Sequence, residues 1–264
     1  MMKKILVTLF TFLVAAPLAL SAQQVLPERP KAEPGSTNLR LMCYNVRNCK
    51  GADDRISYKR VADVINRCAP DVVAVQELDS MTTRYPDQYV LGNLARRTKM
   101  KGTFCHSIEY KGGRYGVGLL SKQRPLSVER LPLPCSREPR VLLIAEFKKY
   151  YVLVTHWSLT ADYRVQTAEI LNNLLPTLKK KAVLLCGDFN AKPTEASMEL
   201  LSKGYDVQRK QGNRFTFPAW EPKREIDYLC VGRNGVQVEV ANHIVVEAPT
   251  ASDHAPFIAD ITIK

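Results

Sequence analysis

No two cysteines in this chain stand at C-x-x-C spacing, no segment repeats, no tract is of low complexity, and lysine and arginine nowhere gather into a dense cluster. Without paired cysteines, zinc-ribbon and thioredoxin-like readings have little support. Beyond the N-terminus there is no apolar run that resembles a membrane span. Disordered and fibrous classes are excluded by composition, because 45% of the residues are hydrophobic and 24% charged, the proportions of a globular protein with a core to bury.

What is present begins with an export signal. Lys3 and Lys4 make a positive start, Ile5 to Ala16 is apolar, and Ala19-Leu20-Ser21 offers small residues for cleavage, so residues 1–21 are expected to be a signal peptide and the mature protein periplasmic or extracellular. No cysteine follows closely enough to take a lipid; the first is Cys43. The formal charge is +12, and the two lysines of residues 1–21 account for two of these charges, leaving +10. Such a basic chain suits polyanions such as nucleic acid, anionic lipid head groups or phosphorylated sugars, and scattered surface lysine that aids solubility is a reading of equal weight. Seven cysteines (43, 49, 68, 105, 135, 186 and 230) are an odd number, so at least one is unpaired within the chain. Cys43, Cys186 and Cys230 sit in apolar strand-like runs, where cysteine acts as a small hydrophobe.

Residues 22–38, ending QQVLPERPKAEPGSTN, lack periodicity and read as a linker, which places one folded domain over residues 39–264. The hydrophobic pattern predicts strands over 39–46 and 71–76 around a helix over 58–68, then a helix over 89–99. Strands are expected over 103–108, 116–121, 126–131, 141–147 and 151–156, and a helix over 162–178. A strand over 182–187 precedes a short helix over 194–201 capped by Thr194, and strands over 226–231, 236–246 and 257–263 end the chain. Many strands with helices between them imply two packed sheets with helices outside.

Polar residues able to do chemistry recur where apolar strands stop: Asn45 after LMCY, Glu77 after DVVAVQ, His156 after YVLVT, and Asp188 and Asn190 after AVLLCG. Strand ends let side chains from distant parts of a chain converge, and converging carboxylates need a cation. Oxygen ligands without thiolate favour Mg²⁺, with Mn²⁺ or Ca²⁺ as alternatives. Taken singly, each residue has an ordinary reading as a solvated turn or a helix cap.

Taken together and in order, the runs YNVRN (44–48), VQELD (75–79), YGVGLLSK (115–122), VTHWS (154–158), GDFNAKP (187–193), REIDYLCV (224–231) and SDHAP (252–256) closely resemble the endonuclease/exonuclease/phosphatase superfamily. That superfamily includes DNase I, AP endonucleases, bacterial sphingomyelinases and inositol polyphosphate 5-phosphatases. The resemblance implies a four-layer α/β/β/α sandwich of two mixed β-sheets flanked by helices. It implies that Glu77 is the principal metal ligand, that Asn45 positions metal and phosphate, and that Asp253 lies near the metal. Asp188 corresponds to the acid that orients or deprotonates water, and Asn190 to a neighbour whose amide bonds a phosphate oxygen. His254 corresponds to a histidine on the scissile phosphate, oriented by Asp227, and His156 to a second histidine found in DNase I-like and sphingomyelinase-like members. Arg137 and Arg140, where the family often carries an E-x-R pattern, and Tyr115, in a loop near the site, are candidate substrate contacts. Phe215, Phe217 and Trp220 either stack on substrate or belong to the core; His106 and His243 read as structural.

The implied activity is metal-assisted attack of water on a phosphodiester or phosphomonoester. A nuclease-like substrate is favoured by the basic charge. Phospholipid and sugar-phosphate hydrolysis are the alternatives, and a non-catalytic polyanion binder is a third, disfavoured because no site residue has decayed. A monomer is expected.

Overall fold

In the computed structural model, residues 24–84 and 88–264 are described; the signal-peptide expectation over 1–21 lies outside them. Residues 24–36 form neither helix nor strand but lie along the body. Gln24 donates to the Val245 carbonyl, and Arg29 reaches both Asp71 and the Ala69 carbonyl.

The first half of the chain runs β1 (Thr37–Asn45), α1 (Tyr58–Cys68), β2 (Val72–Ser80), α2 (Val90–Thr98), β3 (Lys101–Tyr110) and β4 (Gly113–Ser121). The second runs β5 (Ser127–Leu133), β6 (Arg140–Glu146), β7 (Tyr150–His156), α3 (Ala161–Leu174), β8 (Ala182–Asp188), α4 (Ala196–Leu201), β9 (Tyr205–Val207) and β10 (Asp227–Gly232). β11 (Val238–Val245) and β12 (Phe257–Ile263) then return to the first sheet. The two six-stranded sheets have the orders β11-β12-β1-β2-β4-β3 and β5-β6-β7-β8-β10-β9.

Period-two alternation splits each central strand between two cores. Leu41 and Cys43 of β1 face Leu143, Val154, Leu184 and Cys186 between the sheets, whereas Met42 and Tyr44 pack outward against Val61 and Ile65 of α1. On the far side, Leu142, Leu153 and Leu185 cover Ala168 and Leu171 of α3 and Leu201 of α4. This makes the four-layer α/β/β/α sandwich, and burial on both faces explains why the central strands read as unbroken apolar runs. Each fully buried Leu, Ile or Val contributes about 1.5–3 kcal/mol.

β1 runs parallel to β2, with α1 as the crossover, and β7 parallel to β8, with α3 as the crossover. The carboxyl ends of both parallel pairs and the start of antiparallel β10 are where the polar residues gather. α1 begins at Ser57, whose side chain accepts from the Arg60 N–H.

Local expectations fail in three places. Thr194 does not cap α4; Glu195 is its N-cap, with no side-chain cap bond, and its carboxylate instead accepts from the Lys192 N–H and pairs with Arg164. The helix expected over 162–178 ends at Leu174 and tightens into a 3₁₀ turn over Leu175–Thr177, because Pro176 has no N–H to donate. The hydrophobic pattern does not predict β9, because three residues after Gly204 are too few to show a period. All seven cysteines are free thiols, six buried and Cys135 half-buried.

Candidate active site

Register brings the first three groups into a row. His156 and Asp188 are Cα partners across β7 and β8, and Asp188 and Asp227 across β8 and β10. The other sheet supplies Asn45 at the end of β1 and Glu77 in β2. There the pairing with β4 slips between Val75 and Leu78, and Glu77 takes a left-handed backbone with φ 57°. This bulge frees the Glu77 carboxylate from the regular alternation and lets it reach the cleft. Asp253 and His254 sit in the turn before β12, pinned to the end of β1 by a 2.8 Å bond from the Ser252 hydroxyl to the Asn45 carbonyl.

Asn45 Nδ2 donates to Glu77 Oε1 at 2.9 Å and to Asp188 Oδ2 at 3.1 Å. His254 Nδ1 donates to Asp227 Oδ2 at 2.9 Å, and the Thr216 hydroxyl donates to the same oxygen. Both histidines flank Asp188, with His156 Nε2 at 3.5 Å and His254 Nε2 at 3.6 Å from its Oδ2. The Asn190 backbone N–H holds Asp188 Oδ1 at 2.9 Å, while its side-chain amide donates to the Trp157 carbonyl at 3.1 Å. Asp253 Oδ2 lies 3.4 Å from Arg47 Nε.

Burial and crowding set the charges. Burial raises the Asp188 carboxyl to about 7, the Asp227 charge adding to the rise and His254 opposing it. Burial also raises Glu77. His254 pays a burial penalty, yet the Asp227 and Asp188 carboxylates lift it to about 10, so it is an imidazolium at neutral pH. Burial pushes His156 well below the ordinary imidazole range, with Arg140 and His254 adding to the effect.

Ligand atoms of Glu77, His156 and Asp188 lie within 4.8 Å of one another, as do those of Asp188, Asp227 and His254. The second group is already paired internally. The first sets the half-buried Glu77 carboxylate beside the buried Asp188 carboxylate, both raised by desolvation, and such oxygen donors fit a hard divalent cation. Asp253 belongs to neither group of described residues; Arg47 engages it instead.

Glu77, His156, Asp188, Asn190, Asp253 and His254 line one cleft of about 670 Å³, whereas Asn45 and Asp227 do not, and Arg137, Arg140 and Tyr115 line it too. Phe217 also lines it, its ring 4.8 Å from that of His254, while Phe215 and Trp220 do not. His243 is buried with its ring 5.0 Å from Phe257, and His106 lies in β3; neither lines the cleft. Sequence reasoning missed Arg84, Arg224, Tyr110 and Glu138 on the cleft wall. It also missed Thr216 and Lys210, which hold the Asp227 carboxylate and carbonyl. Arg224 could have been found beside the IDY run; Arg84 and Lys210 carry no local pattern.

The model of the Endonuclease/Exonuclease/phosphatase family matches residues 42–254. Among solved structures, an endonuclease/exonuclease/phosphatase from Bacteroides vulgatus superposes with a TM-score of 0.72 at 19% identity, over 86% of this chain and 100% of that one. A mannosyl-6-phosphatase of Bacteroides thetaiotaomicron VPI-5482 gives 0.63 at 18%, over 84% and 99%. D. rerio TDP2 complexed with single strand DNA product gives 0.66 at 17%, over 85% and 99%. At these identities the likeness is one of fold.

Proposed function

Because the chain belongs to the endonuclease/exonuclease/phosphatase family, we propose that this hydrolase of phosphoric ester bonds is an exported, divalent-metal-dependent enzyme that uses the cleft around Asp188 and His254. The observation that carries this reading is the convergence, from two sheets, of a buried carboxylate at about 7 with an imidazolium 3.6 Å away.

A phosphate ester is anionic and resists attack, so its hydrolysis needs positive charge, a nucleophile and a stabilised leaving oxygen. Asp188 is poised to accept a proton from water near neutral pH, and Asn45 and the Asn190 N–H aim its two oxygens. His254, kept cationic by Asp227, binds the phosphoryl oxygens as negative charge develops on them. A Mg²⁺, Mn²⁺ or Ca²⁺ ion held by Glu77, with Asn45 and Asp253 beside it, would neutralise further phosphate charge as a Lewis acid.

Nucleic acid is the favoured substrate. The net charge of +12 supports it, as do Arg137 and Arg224, exposed on the cleft wall; the DNA-bound fold neighbour agrees. A sugar phosphate is the second reading, because about 670 Å³ is the size of a small-molecule pocket and one fold neighbour is a mannosyl-6-phosphatase. Export rests on the N-terminal sequence; among the described residues no helix is long and apolar enough to cross a membrane. The test is hydrolysis of a single-stranded oligonucleotide, a hexose 6-phosphate and sphingomyelin vesicles, each with Mg²⁺ and with excess EDTA. Turnover with Mg²⁺ that EDTA abolishes is expected; full turnover in EDTA overturns the metal requirement. Cell fractionation and N-terminal sequencing near Ala22 test export.

A further inference from the structure

The two cleft histidines have opposite partners at Nδ1. That of His254 meets a carboxylate, whereas that of His156 lies 3.2 Å from Arg140 Nη1. A guanidinium carries five N–H donors and no lone pair to offer. In this contact Arg140 must therefore donate, and His156 Nδ1 must be the unprotonated acceptor. The ring proton of His156 then sits on Nε2, which faces Asp188 Oδ2 at 3.5 Å, an acceptor. The Arg140 hydrogen bond selects this tautomer, and the Asp188 oxygen in front of Nε2 is compatible with it.

Arg140 is well placed to impose this. It opens β6 with its side chain buried, and Glu138 Oε1 anchors the same Nη1 at 2.6 Å. We propose that Arg140 is a positioning residue that fixes His156 as the neutral Nε2–H tautomer, a standing hydrogen-bond donor facing Asp188 and the cleft. A base at Nε2 would need a free lone pair there, and that atom already carries the proton. A metal at Nε2 would need the proton moved to Nδ1, where it would meet the N–H of Arg140. His156 is thereby withdrawn from the Glu77–His156–Asp188 ligand group, and a cation is left to the oxygen donors. His254 and His156 thus hold different fixed jobs, charge on one and neutral donation on the other.

The tautomer follows from the contacts alone; its service to a phosphate ester rests on the proposed function. Histidine-selective ¹⁵N labelling and long-range ¹H–¹⁵N correlation test it on the full chain, which has four histidines; comparison with His156→Gln assigns the signal. The expected pattern for His156 is a protonated-type Nε2 and an unprotonated-type Nδ1, unchanged by adding Mg²⁺. The reverse tautomer, an imidazolium at neutral pH, or loss of the Nε2 proton on adding Mg²⁺ overturns the proposal. Arg140→Met should let the two tautomers mix and lower kcat roughly tenfold to a hundredfold, the usual cost of losing an orienting partner. Arg140→Lys, which keeps a donor, should restore the pattern and most of the rate. An unchanged His156 pattern in Arg140→Met also overturns the idea; should that variant fail to fold, the wild-type spectrum still decides. The expected tautomer in a protein without phosphoesterase activity would sink the functional reading and leave this one standing.

Discussion

Asp227 does two things for His254: its carboxylate accepts the Nδ1 proton at 2.9 Å, and its charge helps lift the imidazole to about 10. A histidine cationic at neutral pH is useful only where negative charge develops, so His254→Ala removes a transition-state interaction. A loss of roughly a hundredfold or more in kcat is expected, with the circular dichroism spectrum unchanged. Asp227→Asn keeps the ring but removes the charge that raises it. The imidazolium is then lost at lower pH, and the alkaline limb of the pH–rate profile should move toward neutrality. Since the pair acts as one unit, the double variant should be barely slower than His254→Ala. Near-native kcat for His254→Ala, or multiplied losses in the double variant, would show that the two do not work together.

The elements put these residues in reach through the close parallel pairing of β7 with β8. Thr155 and Gly187 are Cα partners, and a Cβ on Gly187 would lie 2.0 Å from the Thr155 carbonyl oxygen. Gly187→Ala must push the strands apart next to His156 and Asp188. About 2–3 kcal/mol of destabilisation is expected, a fall in melting temperature of roughly 4–12 °C, together with loss of activity; calorimetry showing an unchanged melting temperature would refute the close fit. Strands of this kind were legible in the sequence because burial on both faces leaves long apolar runs with their functional residues at the ends, as in AVLLCGD. Less legible were features decided by competition or distance. Glu195 took the capping position because Arg164 and the Lys192 N–H hold it there. Lys210, Thr216 and Arg84 matter only through partners the fold supplies, and no local period marks such residues.

At the scale of the whole molecule, buried histidines give stability opposite dependences on pH: His243 and His156, both lowered by burial, act on the acid side and His254 on the alkaline side. His243 in β11 is packed against Phe257, and burial, helped by the Lys210 charge, lowers it to about 3. An unfolded histidine titrates near 6.5, so as pH falls below that value the unfolded chain takes up a proton that the folded one refuses. Stability is lost from about 6.5 downward, at up to about 1.4 kcal/mol per pH unit, until the folded group titrates at about 3. His254 is the reverse case: raised to about 10, it contributes stability that is complete below about 6.5 and is lost as pH rises toward its folded value. Together they place the maximum near neutrality. Denaturant unfolding from pH 4 to 9, in EDTA and at fixed ionic strength to screen the +12 net charge, should show His243→Leu flattening the acid limb alone and His254→Ala flattening the alkaline limb alone. If His243→Leu leaves the acid limb as steep as in the wild type, His243 is not the group that resists protonation, and His156 or the carboxylates of the ion pairs govern acid unfolding instead.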